Sequence, residues 1–306
     1  MNPSRALSAL FLAAIIFALS VPVPVLAWSR FAHEATGYLA EGDLSPTARA
    51  AVAELLDGRT LADVGSWADE VRPDRPETVP LHYVNGPLDT LVPTEVDFDL
   101  PQGNVYSAVL GYSQILADVD QPRAQRIEAL KFLVHFLADL HQPLHSGFAQ
   151  DRGANDVPVL YRGEVINLHR YWDNQIFAVV QADFDSREFA AVLRARHGDH
   201  ERRAWAISSP REWVIEARRL IFNGLYPRPR GDALQHLAPA ELPPGIEPPI
   251  AVLDESYRSV WQPVAEQQIA RAAARLAAAL NHIFESGRSP FEAPPIPFPP
   301  APIGPR

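Results

Sequence analysis

Apolar residues recur at helical spacing along most of the chain, and the punctuation between the runs is legible. Ser45-Pro46 places a hydroxyl at a helix cap and a proline in the first turn, Val52, Leu55 and Leu56 form an apolar stripe, and Gly58 closes it. Ser209-Pro210 repeats the device. Asn104 opens a segment carrying Val105, Val109, Leu110 and Leu116. From about Arg123 to His141 the chain is apolar on nearly every side (Ile127, Leu130, Phe132, Leu133, Val134, Phe136, Leu137, Leu140), which predicts a central buried helix. A long Ala-rich helix is predicted from about Ser256 to Phe284, with Pro263 kinking or restarting it near its beginning. Strand signals are few: Val157 to Tyr161 and Val165-Ile166 around Gly163 predict one small hairpin. The expected fold is therefore all-α, a single domain over about 28–286 with a minor β-hairpin.

The two ends depart from this pattern. Residues 1–27 begin with a short positive stretch ending at Arg5, run apolar to about Ala18 and finish on the small-residue end Val25-Leu26-Ala27, the grammar of a secretory signal cleaved before Trp28. No later run approaches the ~20 apolar residues of a membrane span, so a secreted or periplasmic chain without a membrane anchor is expected. Residues 287–306 form a Pro-rich tail that lacks amide donors and is expected to be disordered, and Pro227 to Pro249 is expected to be a surface loop.

Composition narrows the chemistry. With 27 Lys and Arg against 37 Asp and Glu the net charge is −10, which argues against an electrostatic grip on duplex DNA, where basic side chains displace counterions over many phosphates. Zero cysteines remove disulfides, thiolate nucleophiles and thiolate metal sites, so a metal would be held by His, carboxylates or backbone atoms.

The 10 histidines then carry the interest. His135 and Asp139 lie four apart on the predicted central helix, hence on one face, and His145 follows just after Pro143 ends it. A lone histidine in an apolar helix is more often a satisfied core residue than a ligand. An Asp one turn away on so buried a helix, however, carries a desolvation cost that calls for a compensating charge. The grammar recurs at His169 and Asp173, again four apart, after a cap at Asn167. Two such pairs plus His145 point to divalent cations. With His33, Asp69 in SWADEVRPD and His82 in LHYVN the set comprises five histidines besides the aspartates of the pairs. Mixed nitrogen and oxygen donors suit Zn²⁺ better than Ca²⁺ or Mg²⁺.

In these residues the chain resembles the zinc-dependent S1/P1 nucleases, secreted all-α enzymes with three zinc ions. The resemblance rests on WSRFAH (28–33), SWADEVR (66–72), HYVN (82–85), FLVHFLADLHQPLH (132–145) and NLHRYWDN (167–174), in the family's order, and covers most of the mature chain. It implies a phospholipase C/P1 nuclease-like helical fold and three Zn²⁺ per chain. Asp69, His82 and His135 would hold one ion, Trp28 and His33 a second, with Asp139 bridging the two, and His145, His169 and Asp173 the third. His141 is not among the family's ligands and is read as structural. Trp28 would act through its liberated α-amine and carbonyl, so that leader removal completes a site.

The resemblance further implies hydrolysis of single-stranded DNA or RNA to 5′-phosphorylated nucleotides, and of 3′-nucleotides at the same centre. Asp69 would orient the attacking water, Arg72 and Asn174 would face the phosphate, and Tyr83 and Asn85 would stack and hydrogen-bond a base. No protein partner is implied. The rival readings are a zinc-dependent phospholipase C of the same fold and a secreted zinc-binding protein without turnover. Ser29 and Ala32 stand where the family usually has glycines, Ala138 where it often has one, and Leu81 where an aromatic commonly stands.

Overall fold

The computed structural model describes residues 28–93, 101–227 and 250–292. The expected leader at 1–27, most of the expected surface loop at 227–249 and most of the expected Pro-rich tail at 287–306 lie outside the described residues.

The molecule is built around the helix that the apolar run predicts. That helix and the one before it, here α6 (Arg123–Asp139) and α5 (Val105–Ala117), pack along one another. The cap of α5 is a reciprocal box: the Asn104 side chain accepts from the Ser107 amide at 3.0 Å and Ser107 Oγ accepts from the Asn104 amide at 2.9 Å. The first turns of α6 are half-exposed, whereas every residue from Phe132 to Asp139 is buried. Phe132 stacks on Tyr112 of α5 at 4.6 Å and on Phe136 at 5.2 Å. Each such apolar side chain contributes about 1.5–3 kcal/mol on burial, so the last two turns of α6 are anchored strongly enough to carry polar groups inward.

Four N-terminal helices lie against this pair: α1 (Arg30–Glu41), α2 (Pro46–Leu55), α3 (Leu61–Val64) and α4 (Trp67–Val71). Gly37 lets α1 meet α3 closely, because a Cβ there would stand 2.5 Å from the Ala62 backbone nitrogen. That approach brings His33 up to the end of α6. A 3₁₀ turn, Pro76–His82, delivers His82 from the other side.

After α6 the chain turns through Pro143–Ser146, forms the hairpin β1 (Pro158–Tyr161) and β2 (Glu164–Asn167), and enters α7 (Leu168–Asp173), whose cap is the Asn167 side chain accepting from the Arg170 amide at 2.6 Å. The strands pair antiparallel with Val159 opposite Ile166. A short α8 (Val180–Asp183), then α9 (Ser186–Arg196), α10 (Asp199–Ala206) and α11 (Pro210–Leu220) wrap the far side, and α12 (Glu255–Ser286) runs along the whole assembly.

The all-α reading holds, with three refinements. A third strand, β3 (Ala251–Val252), joins β1 in parallel, a dipeptide too short to leave a periodic signal. The central helix ends at Asp139, short of His141. Pro263 neither stops nor restarts α12, which is continuous across it: the proline and Ser259, whose carbonyl loses its amide partner, are both exposed, so water can satisfy that carbonyl.

Candidate metal centre

The C-terminal end of α6 is the focus to which four other segments bring donors. Asp139, fully buried, has His135 Nε2 3.1 Å from one carboxylate oxygen, as the four-residue spacing on one face requires. His82 Nδ1 lies 2.9 Å from the same oxygen. His33 Nε2 from α1 stands 3.4 Å from the other oxygen, and His145 Nδ1 3.6 Å from it. Asp69 of α4 places Oδ1 3.7 Å from His82 and 3.9 Å from His135.

These donors fall into three buried groups whose ligand atoms lie within 4.8 Å of one another: Asp69 with His82 and His135, His33 with His135 and Asp139, and His145 with His169 and Asp173. In the third, His169 Nε2 is 3.4 Å and His145 Nε2 3.8 Å from the Asp173 carboxylate. His145 thus faces Asp139 with one ring nitrogen and Asp173 with the other.

Two backbone carbonyls set the imidazole orientations. His135 Nδ1 donates to the Gly65 carbonyl at 2.7 Å and His169 Nδ1 to the Gly153 carbonyl at 2.6 Å, which turns each Nε2 toward its cluster. Gly153 sits at φ +63 with no room for a side chain, since a Cβ would meet the Leu144 carbonyl oxygen at 2.5 Å. Neither glycine is singled out by the sequence reading, because a carbonyl that orients a ring has no residue-type signature.

The electrostatics fit bound cations. Burial pushes His33, His82 and His169 below the ordinary imidazole range and His145 down to about 3, so these rings are neutral with a lone pair to give. Burial also opposes charge on His135, but Asp139 and Asp69 outweigh it and hold that ring up to about 9. Burial works against the Asp139 carboxylate too, yet His135 and His145 hold it well below the usual range. Asp173 is pushed well above that range by burial, with the Gln142 amide pulling the other way. Several buried polar atoms here, His33 Nε2, Asp69 Oδ1, Asp139 Oδ1, His145 Nδ1 and Asp173 Oδ2 among them, lack a hydrogen-bond partner. Orphaned donors of this kind, all nitrogen and oxygen, match divalent metal ligation.

Trp28 is fully buried, its ring edge-on to Phe177 at 6.3 Å, and the next amide, Ser29 N–H, donates to the Asp173 carbonyl at 2.8 Å. His141 points away from the clusters: Nδ1 donates to the Leu137 carbonyl at 2.7 Å and Nε2 accepts from Arg275 at 2.8 Å.

A cleft of about 830 Å³ opens over the centre, with His82, His145 and His169 in its lining. Arg72 stands at its edge, 3.3 Å from Asp69, and Tyr83 and Asn85 form part of the wall. Tyr83 is 39% exposed, which leaves a ring face open to the cleft, and Asn85 Oδ1 is buried without a partner. The segment they occupy is fixed by the Val84 amide donating to the His145 carbonyl at 2.7 Å and the Gly86 amide to the Gly147 carbonyl at 2.9 Å. Asn174 caps the end of α7 and is not among the residues that line the cleft. Asn155 and Arg152 line it as well and were not singled out by spacing; both come from an irregular loop.

A buried, histidine-rich, polynuclear centre at the foot of an open cleft on a helical scaffold defines a metal-dependent hydrolase. The S1/P1 Nuclease family model matches residues 28–285, and the chain belongs to that family. The chain is similar to Endonuclease 5 of Arabidopsis thaliana, 30% identical over 279 residues, covering 85% of this chain and 92% of the relative. It is similar also to Nuclease S1 of Aspergillus oryzae (27% identical; 84% of this chain, 91% of the relative) and to Nuclease P1 of Penicillium citrinum (28% identical; 65% and 82%). It is accordingly a zinc-dependent nuclease with a centre for three ions.

Proposed function

We propose that this chain cleaves phosphodiester bonds in single-stranded DNA and RNA to give 5′-phosphorylated nucleotides, and that it also removes phosphate from 3′-nucleotides. The observation that carries the reading is the convergence of the three donor groups around Asp139 beneath a cleft whose wall holds Arg72 and Tyr83.

In this assignment Asp69, His82 and His135 hold one zinc, Trp28 and His33 a second, Asp139 spans both, and His145, His169 and Asp173 hold the third. Bound zinc supplies Lewis acidity toward phosphate oxygens and makes water a competent nucleophile near neutral pH.

The remaining work belongs to the protein. Asp69 accepts a hydrogen bond from water at the centre and orients it, its buried Oδ1 lying beside Arg72 but outside any hydrogen bond. Arg72, held by Asp69, turns its guanidinium to the phosphate, where planar donors match the developing charge. Asn174, at the end of the helix that carries His169 and Asp173, donates to a phosphate oxygen in this reading. Tyr83 offers its exposed face to a base, and Asn85 offers an amide oxygen to the base edge. A stacked base must be free of its duplex, so unpaired strands are favoured.

We also assign the chain to the secreted or periplasmic space, with residues 1–27 as signal peptide, 28–286 as the catalytic domain and 287–306 as a Pro-rich tail. Among the described residues no helix is long and apolar enough to cross a membrane.

The test is one assay series with zinc-loaded protein beginning at Trp28 on single-stranded DNA, duplex DNA, 3′-AMP and phosphatidylcholine. Cleavage of the single strand and of 3′-AMP is expected. Turnover of the lipid alone would assign the centre to a phospholipase, and no turnover of any substrate to a zinc-binding protein.

A further inference from the structure

Gln142 is fully buried between the two halves of the centre, and every polar group it owns is committed. Its amide nitrogen Nε2 donates to Asp173 Oδ1 at 2.9 Å, and its Oε1 accepts from the Leu144 backbone amide at 2.6 Å. Its own backbone amide donates to the Asp139 carbonyl at 3.0 Å, and its carbonyl accepts from the His145 amide at 3.0 Å. One residue therefore touches the aspartate at the end of α6, the turn that carries His145, and the carboxylate of α7.

The orientation of this amide is dictated by its surroundings. A backbone N–H can only donate, so the side-chain oxygen must face Leu144 and the NH₂ must face Asp173. The contact also sorts the two oxygens of Asp173. Oδ1 is occupied by the amide, whereas Oδ2 is without a hydrogen-bond partner and lies 3.4 Å from His169 Nε2. Oδ2 thus faces His169 free of any hydrogen bond, while Oδ1, 3.8 Å from His145 Nε2, is held in place by the Gln142 amide.

We propose that Gln142 is a positioning residue for the third zinc: its side chain holds Asp173 so that one carboxylate oxygen faces the ion while its acceptor fixes the His145 turn. The proposal rests on the assignment of His145, His169 and Asp173 as a zinc site. A glutamate at 142 keeps the shape and the acceptor for Leu144 but sets an oxygen against the Asp173 carboxylate, and like partners there repel. A hydrogen-bonding partner to a metal-bound carboxylate typically governs a factor of about 10–100 in metal affinity.

The experiment is zinc stoichiometry by elemental analysis across a chelator series, on the parent and on Gln142→Glu, with thermal melting of the metal-free forms. The parent is expected to hold three ions. Gln142→Glu is expected to release one ion at about 10–100-fold lower chelator strength, to retain the other two, and to melt within a few degrees of the parent when metal-free. Release of all three together, or three ions held as tightly as in the parent, overturns the positioning role. A parent that holds fewer than three ions overturns the zinc assignment itself, a separate outcome read from the parent alone. Should Gln142→Glu fail to fold, Gln142→Met, which deletes donor and acceptor at nearly the same length, is read the same way: selective weakening of one ion supports the proposal and unaltered binding defeats it.

Discussion

The amide of Ser29 donates to the carbonyl of Asp173 across 2.8 Å, so the residue after Trp28 is tied directly to a member of the third donor group. The start of the family match and that donor group are therefore one hydrogen bond apart.

From this follows a prediction about processing. A chain retaining residues before Trp28 offers an amide nitrogen where the proposed assignment places a free amine, and an amide is a poor donor to zinc. Such a chain is expected to bind at least one zinc fewer than a chain beginning at Trp28. Elemental analysis of both forms decides the matter, and equal zinc content would show that the terminal amine is no ligand.

The bridging role proposed for Asp139 separates it from the nearby His141. Asp139→Asn is expected to lose two of three ions. His141→Ala is expected to keep its zinc while destabilising the fold by about 1–3 kcal/mol, because it removes one buried hydrogen-bond partner of Arg275, which keeps Glu216 and the Trp205 carbonyl. Matching metal loss in the two variants would contradict the assignment.

Arg72 and Tyr83 should fail in different ways. Arg72→Ala is predicted to lower kcat by about 10²-fold or more with three zinc ions retained, as removal of a donor to developing charge does. Tyr83→Ala is predicted to weaken single-strand binding by about 1–3 kcal/mol, seen mainly in KM. An unchanged KM for Tyr83→Ala on oligonucleotides, or zinc loss in Arg72→Ala, counts against these roles.

A pH effect is expected at Asp43, which accepts from Arg202 Nε at 2.8 Å and Arg194 Nη1 at 2.9 Å and so joins the end of α1 to α9 and α10. Partial burial resists its charge, but the Arg202 and Arg194 hydrogen bonds win and hold its carboxyl below the ordinary value of 3.8. A depressed folded-state value contributes stability that is fully present above the unfolded value and is lost as pH falls through the folded one. Asp43→Asn is therefore predicted to cost about 1.5–3 kcal/mol at neutral pH, and the gap to the parent should narrow below about pH 4. Denaturant melts at pH 7 and in the acid range measure it; a gap independent of pH would exclude the ion pairs as its source.

Much of the scaffold is legible in the sequence because helices are local. The caps at Ser45, Asn104, Asn167 and Ser209 act within three residues, and the apolar run of α6 announces burial on all sides. His135 with Asp139 and His169 with Asp173 are legible for the same reason: four residues on a helix is a distance as well as a spacing. The two-residue strand β3 is not, since it depends on what pairs alongside, and neither is the continuity of α12 through Pro263, since which face of the helix meets solvent is a tertiary outcome.

By itself, then, the sequence determined which side chains carry donors, on which helices, and with what chemistry, because zinc chemistry is set by residue type and the cysteine count is zero. Only the tertiary structure decided that His33 and His82, separated from Asp139 by up to about a hundred positions, meet it within 4 Å, and that Asp69 comes within 4 Å of His82 and His135. It alone decided which nitrogen of His135 and of His169 faces inward, through the carbonyls of Gly65 and Gly153, and which oxygen of Asp173 Gln142 leaves open. Those choices depend on contacts between segments remote in the chain, and no local pattern encodes the direction of a lone pair.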